Sequence, residues 1–179
     1  MEFVVLGLGS NKSWNGMKSL EILEKACCLL REFIHDFKAS SVFRTKPMYV
    51  KNQDDFYNMV ACGFVKDIEP FDLLEKIHKI EYSLGRNREK EIRNGPRSID
   101  IDIEIFGKTQ IHSDVLEIPH PRLCEREFVL VPLMDVFSKN PNFVSADIFD
   151  IKKYQKMLEE LQNSSGDGII ERLVDYGNE

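Results

Sequence analysis

The stretch from Arg93 to Gly107 reads R-N-G-P-R-S-I-D-I-D-I-E-I-F-G, and its alternation decides the fold. Ile99, Ile101, Ile103 and Ile105 alternate with Asp100, Asp102 and Glu104, the period of two that marks a half-buried strand. Residues two apart share a face, so the pattern sets three carboxylates on one side and four isoleucines on the other. Such a row of like charges is unfavourable unless cations cover it. Gly95-Pro96-Arg97, just upstream, supplies a stiff turn and one fixed cation. Paired carboxylates suit Mg²⁺ with bound phosphates, because a hard cation takes oxygen ligands and keeps much of its water. A solvated strand face accounts for a bare D-x-D equally well, so the neighbouring segments must decide.

Upstream, Arg86 to Arg97 holds five cations (Arg86, Arg88, Lys90, Arg93, Arg97) and two anions (Glu89, Glu91), a local charge of 5 − 2 = +3 in a chain whose total is −6. Alone, this reads as a solvated basic loop. Running straight into the carboxylate strand, it brings guanidinium forks and metal ligands together, the combination that grips a polyphosphate. Before it, a helix is predicted from Pro70, a favoured first-turn residue, to Gly85, a favoured terminator. Leu73, Leu74, Ile77, Ile80 and Leu84 form its apolar stripe, and Glu81 falls inside that stripe. A carboxylate so placed needs a partner; a rim glutamate paired with an arginine and a functional acid both satisfy this.

Nearer the N-terminus, Phe3 to Leu6 reads as a buried strand leaving through Gly7-Leu8-Gly9-Ser10-Asn11, whose glycines permit close approach of a ligand. Met17 to Ile34 has helical spacing at Leu20, Leu23, Cys27, Leu30 and Ile34. One strand is predicted over Phe37 to Thr45, then a polar loop from Lys46 to Asp55. Phe56 to Val65 is apolar on both faces except at Asn58, as a central strand would be. Downstream of Gly107 comes a short return, then I-P-H-P-R-L-C-E-R-E-F-V-L-V-P-L, in which two prolines hold His120 on a stiff extended segment. Tyr154 to Gln162 has a helical pattern, Ser164 to Gly168 the composition of a flexible link, and the last ten residues are left open between docking and fraying.

The order strand, helix, strand, strand, helix, strand implies an α+β fold of ferredoxin-like type: an antiparallel sheet covered by helices in three α-β-α layers. With 179 residues, 42% hydrophobic and 30% charged, the chain reads as one domain with a substantial core. The net charge of −6 argues against a general nucleic-acid binder. No apolar run approaches a membrane span, and the N-terminus lacks a signal peptide's cationic start. Cys27, Cys28, Cys62 and Cys124 lack metal-ligand spacing, so reduced, mostly structural thiols and a cytoplasmic location are expected.

The block G-P-R-S-I-D-I-D-I, preceded by L-G-R-N-R and followed by I-P-H-P-R-L-C-E-R-E-F-V-L-V-P-L, closely resembles the 6-hydroxymethyl-7,8-dihydropterin pyrophosphokinase family. G-S-N at Gly9 to Asn11, R-T-K-P at Arg44 to Pro47 and D-F-Y-N at Asp55 to Asn58 match further stations in order, over roughly residues 3 to 140. The resemblance implies transfer of the pyrophosphoryl group of ATP to the hydroxymethyl group of the pterin, releasing AMP, in folate biosynthesis. It implies two Mg²⁺ ions held by Asp100 and Asp102, and catalytic roles for these with Arg86 and Arg97. ATP contacts fall on His78, Glu81, Arg88, Arg93, Ile103, His120 and Arg126. For the pterin, Phe56 and Phe128 match the sandwiching rings and Asn58 the edge-binding amide, with Thr45 and Met48 lining the pocket. The catalytic domain is expected over residues 1–145, with 146–179 an extension of unassigned role; ATP and the dihydropterin are the expected partners of a monomer, with no nucleic acid or membrane.

Three residues depart from the family pattern. Glu104 stands where an apolar residue is usual and reads as a solvated third carboxylate or a modifier of metal affinity. Asn94 replaces a common aromatic, which loosens loop closure over the pterin, and Phe56 replaces a tyrosine and loses its hydroxyl. The loops Ser10 to Gly16, Lys46 to Asp55 and Arg86 to Gly95 are expected to close over the ligands. Two other readings carry the same residues: a different Mg²⁺-dependent nucleotidyl or phosphoryl transferase, and a ferredoxin-like RNA-binding module.

Overall fold

Strand β1 (Glu2–Ser10) is buried from Phe3 to Ser10, as its unbroken run of apolar and small residues requires. The structure is a computed structural model describing residues 1–48, 52–88, 90–92, 95–145, 147–164 and 169–174 of the 179-residue chain. After β1 come α1 (Ser19–Leu30), β2 (His35–Ala39), β3 (Val42–Thr45), β4 (Phe56–Val65), α2 (Pro70–Ser83) and β5 (Asp100–Phe106). A short hairpin of β6 (Ile111–His112) and β7 (Glu117–Ile118), a 3₁₀ turn at Leu123–Glu125, α3 (Glu127–Lys139), α4 (Ile151–Ser164) and β8 (Ile169–Val174) follow.

β1 lies between β4 and β5, antiparallel to both, and β4 carries β2 and β3 on its other side. With β2 and β3 counted as one interrupted strand, the spatial order is fourth, first, third, second, which is the ferredoxin-like βαββαβ arrangement. Helices cover both faces. Ile22, Leu23 and Leu30 of α1 and Leu73 and Ile77 of α2 pack on Leu6, Leu8 and Ile101. On the other face Val129, Leu130 and Leu133 of α3 and Tyr154 of α4 pack on Phe3, Val5 and Val60. The expected α+β, three-layer architecture is what the chain adopts.

Two local differences have physical causes. The strand expected over Phe37 to Thr45 breaks at Ser40-Ser41: the Ser40 hydroxyl accepts the Val60 N–H at 3.0 Å, and the Ser41 N–H leaves the ladder for Asp135 Oδ2 at 2.6 Å. The four isoleucines do not share one face. Leu6 pairs with Ile103 but Val5 pairs with Ile105, so the β1–β5 register slips by one residue between them. Ile99, Ile101 and Ile103 therefore pack under α1 and α2, whereas Ile105 packs with α3.

α2 begins at Pro70 and stops before Gly85, whose φ of +89° is costly for any residue with a side chain. Trp14 occupies the space into which a Gly85 Cβ would project, held in a tight turn by paired backbone bonds with Met17 at 2.9 and 3.0 Å. At the other end of the chain, β8 docks antiparallel on β3. Arg172 reaches Asp135 Oδ1 at 2.8 Å and donates to Ser41 Oγ at 2.8 Å, and Arg44 meets Glu171 at 3.4 Å. All four cysteines are free; Cys27 and Cys62 are buried, and Cys28 and Cys124 are exposed. Among the described residues, no helix is long and apolar enough to cross a membrane.

Candidate active site

The sheet register assembles the site. Gly9 of β1 faces Asn58 of β4 on one side and Asp100 of β5 on the other; Gly7 faces Val60 and Asp102. The bare backbone of β1 thus forms the floor between the amide and the carboxylates. Above it opens a cavity of about 340 Å³ lined by Gly7, Gly9, Asn58, Asp100, Asp102, Glu104, His120 and Phe128, with Arg86, Arg88, Arg97, Arg122 and Arg126 around it. A smaller pocket of about 40 Å³ adjoins it, lined by Thr45, Lys46, Met48, Gln53 and Phe56 and sharing Asn58, Arg97 and Phe128. Asn58 Nδ2 donates to Thr45 Oγ1 at 2.6 Å, which fixes the amide in its apolar strand.

Each carboxylate faces a cation. Arg97 Nη2 lies 2.9 Å from Asp100 Oδ2, and Arg86 Nη2 lies 3.3 Å from Asp100 Oδ1. Arg86 is itself fixed by Glu91 at 2.8 Å and by the Ile99 carbonyl at 2.9 Å. Arg126 Nη1 reaches both Asp102 Oδ2 at 2.8 Å and Glu104 Oε1 at 2.9 Å. Glu81, 1% exposed, accepts two bonds from Arg88 at 2.6 and 3.0 Å and the Ile101 N–H at 2.9 Å. It is thus an arginine-paired glutamate, but a buried one that ties α2 to the carboxylate strand rather than one at the rim.

These contacts divide the acidities. Burial and the adjacent Asp102 raise Asp100 above the usual carboxylate range, against the pull of Arg97 and Arg86. Burial would raise Asp102 too, but Arg126 and then His120 hold it below that range. Burial, with Asp102 nearby, pushes Glu104 up to about 8 despite Arg126. Burial and Arg126 push His120 down to about 4. Its Nδ1 accepts the Arg122 backbone N–H at 3.1 Å, and the His120 backbone N–H donates to the Glu104 carbonyl at 2.9 Å, which brings the proline-bracketed segment to β5.

Glu104 is the clearest departure from the sequence reading. It has no exposed surface, so it is not a solvated extra carboxylate. Its side chain reaches over Gly7, where a Cβ would stand 2.9 Å from Oε1. Ile103 lies in the core beneath α1 and α2, so its side chain is not part of the cavity wall. His78 is exposed on α2 and outside the cavity lining, though partial burial and then Arg88 and Arg86 lower its pKa. Arg93 and Asn94 lie outside the described residues. Reading the sequence missed Arg122, Glu91, Gln53 and Lys46 as lining residues; Arg122 and Glu91 were visible as charges, but nothing local gave their direction.

Asn11 links three loops. Its Nδ2 donates to Gln53 Oε1 and to the Asp54 carbonyl, both at 3.1 Å, and its Oδ1 accepts the Arg97 N–H at 2.9 Å. A second bond, from the Asn11 N–H to the Arg97 carbonyl at 3.1 Å, completes the pair. Arg97 is thereby fixed at its backbone, with its guanidinium carbon 5.1 Å from the Phe56 ring centre; Arg126 stands similarly 5.5 Å from Phe128. For Mg²⁺ the donor set fits. Asp100 and Asp102 present oxygens to the cavity, their side chains 17% and 34% exposed, each with a guanidinium group beside it. Among the described residues no three His, Cys, Asp or Glu side chains form a cage, and Mg²⁺ commonly uses only one or two carboxylates plus phosphates.

A family model described as 7,8-dihydro-6-hydroxymethylpterin-pyrophosphokinase matches residues 5–138. The folic acid synthesis protein FOL1 of Dictyostelium discoideum is 44% identical over 144 residues, covering 79% of this chain and 20% of that protein. The 2-amino-4-hydroxy-6-hydroxymethyldihydropteridine pyrophosphokinase of Aquifex aeolicus is 36% identical over 144 residues, covering 80% of this chain and 84% of that one. Among solved structures, wild-type Plasmodium falciparum HPPK-DHPS with SDX-DHP superposes with a TM-score of 0.56 at 16% identity, over 92% of this chain and 45% of that chain. The chain thus spans a fifth of the Dictyostelium protein and less than half of the Plasmodium chain, but most of the Aquifex enzyme.

Proposed function

The chain belongs to the 7,8-dihydro-6-hydroxymethylpterin-pyrophosphokinase family, and on that premise we propose that it transfers the pyrophosphoryl group of ATP to the hydroxymethyl group of 6-hydroxymethyl-7,8-dihydropterin, releasing AMP, with two Mg²⁺ ions. The observation that carries this reading is the junction of the two cavities. A polyanion-sized space walled by arginines and carboxylates shares Asn58, Arg97 and Phe128 with a pocket of two aromatic rings and a fixed amide.

A flat, polar bicycle suits that smaller pocket. Phe56 and Phe128 offer stacking faces, Asn58 held by Thr45 offers an edge donor and acceptor, and Met48 adds an apolar wall. Arg97 borders both spaces, so it can steady the donor phosphates beside the acceptor hydroxyl. Arg86, Arg88 and Arg126 hold further phosphate oxygens, with His120 also lining the cavity. Ile103 would meet the nucleotide through its backbone, since its side chain is in the core. Asp100 and Asp102 would hold Mg²⁺, which would supply neutralisation of the charge developing on the phosphates. Because the transition state of phosphoryl transfer is loose, positioning and charge neutralisation dominate over a strong base.

The test is direct. Purified protein with Mg²⁺, ATP and the dihydropterin should form AMP in step with pterin diphosphate. Formation of ADP, or no AMP, would overturn the reading.

A further inference from the structure

Glu104 is among the residues that border the cavity although it has no exposed surface. Its Oε1 accepts a bond from Arg126 Nη1 at 2.9 Å, and the same nitrogen donates to Asp102 Oδ2 at 2.8 Å. One guanidinium nitrogen is thus shared between a candidate metal ligand and a carboxylate two residues further along. The surroundings are shaped for this. Gly7 leaves open the space that Oε1 occupies, and the bond from the His120 N–H to the Glu104 carbonyl pins the main chain. Among the described residues Glu104 Oε2 has no hydrogen-bond partner, His120 Nδ1 standing 4.0 Å away, so the carboxylate is anchored through Oε1.

We propose that Glu104 is the positioning residue for Arg126, retaining its guanidinium at the cavity wall, directed at the nucleotide phosphates, once Asp102 turns to a divalent cation. The proposal rests on the reading of Asp102 as a Mg²⁺ ligand and of Arg126 as an ATP contact. A cation at Asp102 draws Asp102 Oδ2 away from the shared nitrogen and repels the guanidinium beside it. Arg126 then needs a second acceptor that the cation does not claim. Glu104 supplies one from the strand that carries Asp102, so distance and direction are set by the backbone. Rigid second anchors of this kind keep a flexible cation in its productive geometry.

The test compares Glu104→Met, Glu104→Gln, Arg126→Met and the Glu104→Met/Arg126→Met double variant. Calorimetry with a non-hydrolysable ATP analogue and Mg²⁺ is read beside KM for ATP and kcat. Glu104→Met should weaken analogue binding and raise KM for ATP by roughly tenfold, with a much smaller change in kcat. Glu104→Gln, which keeps the acceptor oxygen, should recover most of that loss. In the Arg126→Met background, removing Glu104 should add nothing. Wild-type analogue affinity in Glu104→Met, equal damage from Gln and Met, or effects that multiply in the double variant would each overturn the proposal. Should Glu104→Met not fold, Glu104→Asp withdraws the oxygen and is held to the same outcomes. Wild-type protein that binds no ATP analogue overturns both readings; protein that binds it but forms no AMP overturns the proposed reaction alone.

Discussion

Gly9 lies under Asn58: the two are paired across β1 and β4, and a Cβ built on Gly9 would stand 2.7 Å from Asn58 Oδ1. The amide can hold its orientation only because β1 is bare there. Gly9→Ala should therefore push the Asn58 side chain off its bond to Thr45 and raise KM for the pterin by roughly tenfold or more. Affinity for an ATP analogue should change little. Steady-state kinetics varied in each substrate separate the two effects.

Asp100 pairs with Arg97 and Arg86 and Asp102 with Arg126, so removing either charge disturbs the arginines as well as the proposed Mg²⁺ site. Asp100→Asn and Asp102→Asn should each lower Mg²⁺-dependent turnover by roughly a thousandfold, because positioned charge is the main catalytic resource of such a site. Circular dichroism should show the fold retained. A variant that keeps substantial activity across a Mg²⁺ titration would contradict the assignment.

The contribution of Glu104 to the stability of the metal-free protein should fall as pH rises. Glu104 has a folded-state pKa of about 8 against an ordinary value of 4.5, raised first by burial. Between those values the folded protein holds a proton that the unfolded chain releases. The stabilisation is complete below pH 4.5 and lost as pH climbs through about 8, an effect on the order of 5 kcal/mol at most. Urea denaturation from pH 7 to 8.5, above the range in which His120, pushed down to about 4, contributes the opposite slope, should show this fall in the wild type and a flatter profile in Glu104→Gln.

One acid, Asp135, joins the C-terminal strand to α3 and to the Ser40-Ser41 break. Asp135 receives the Ser41 N–H at 2.6 Å and pairs with Lys139 at 3.0 Å and Arg172 at 2.8 Å. Asp135→Ala leaves a buried N–H without its acceptor and should cost about 2 kcal/mol. Arg172→Ala, whose side chain is half exposed, should cost under about 1 kcal/mol. Denaturant midpoints measure both.

Much of this arrangement was legible before any coordinates. The alternation around Asp100 and Asp102 gave a strand, Pro70 and Gly85 bounded a helix, and the order of elements implied the antiparallel topology. Those signals are local, and local physics reads them. What depended on a distant strand was not legible. A period of two places Glu104 beside Asp102 on a wet face, but only the slip against Val5 and Leu6 reveals where Ile105 goes. The break at Ser40-Ser41 needed Asp135, nearly a hundred residues away in sequence, to take a backbone N–H out of the sheet. The docking of β8 on β3 likewise follows from Glu171 and Arg172 meeting partners that no neighbouring residue announces. In the site, residue types were readable, but the pairing of each arginine with its carboxylate was not.

The chain has a single tryptophan, Trp14, and it rests against Gly85 where α2 ends and the arginine segment begins. That contact gives the protein an optical probe of its own at the root of the segment carrying Arg86 and Arg88. Any ligand that shifts this root changes the polarity around one indole, so its emission reports the movement without an attached dye. Stopped-flow fluorescence of the unmodified protein can then time the arrival of nucleotide and pterin separately from the chemistry.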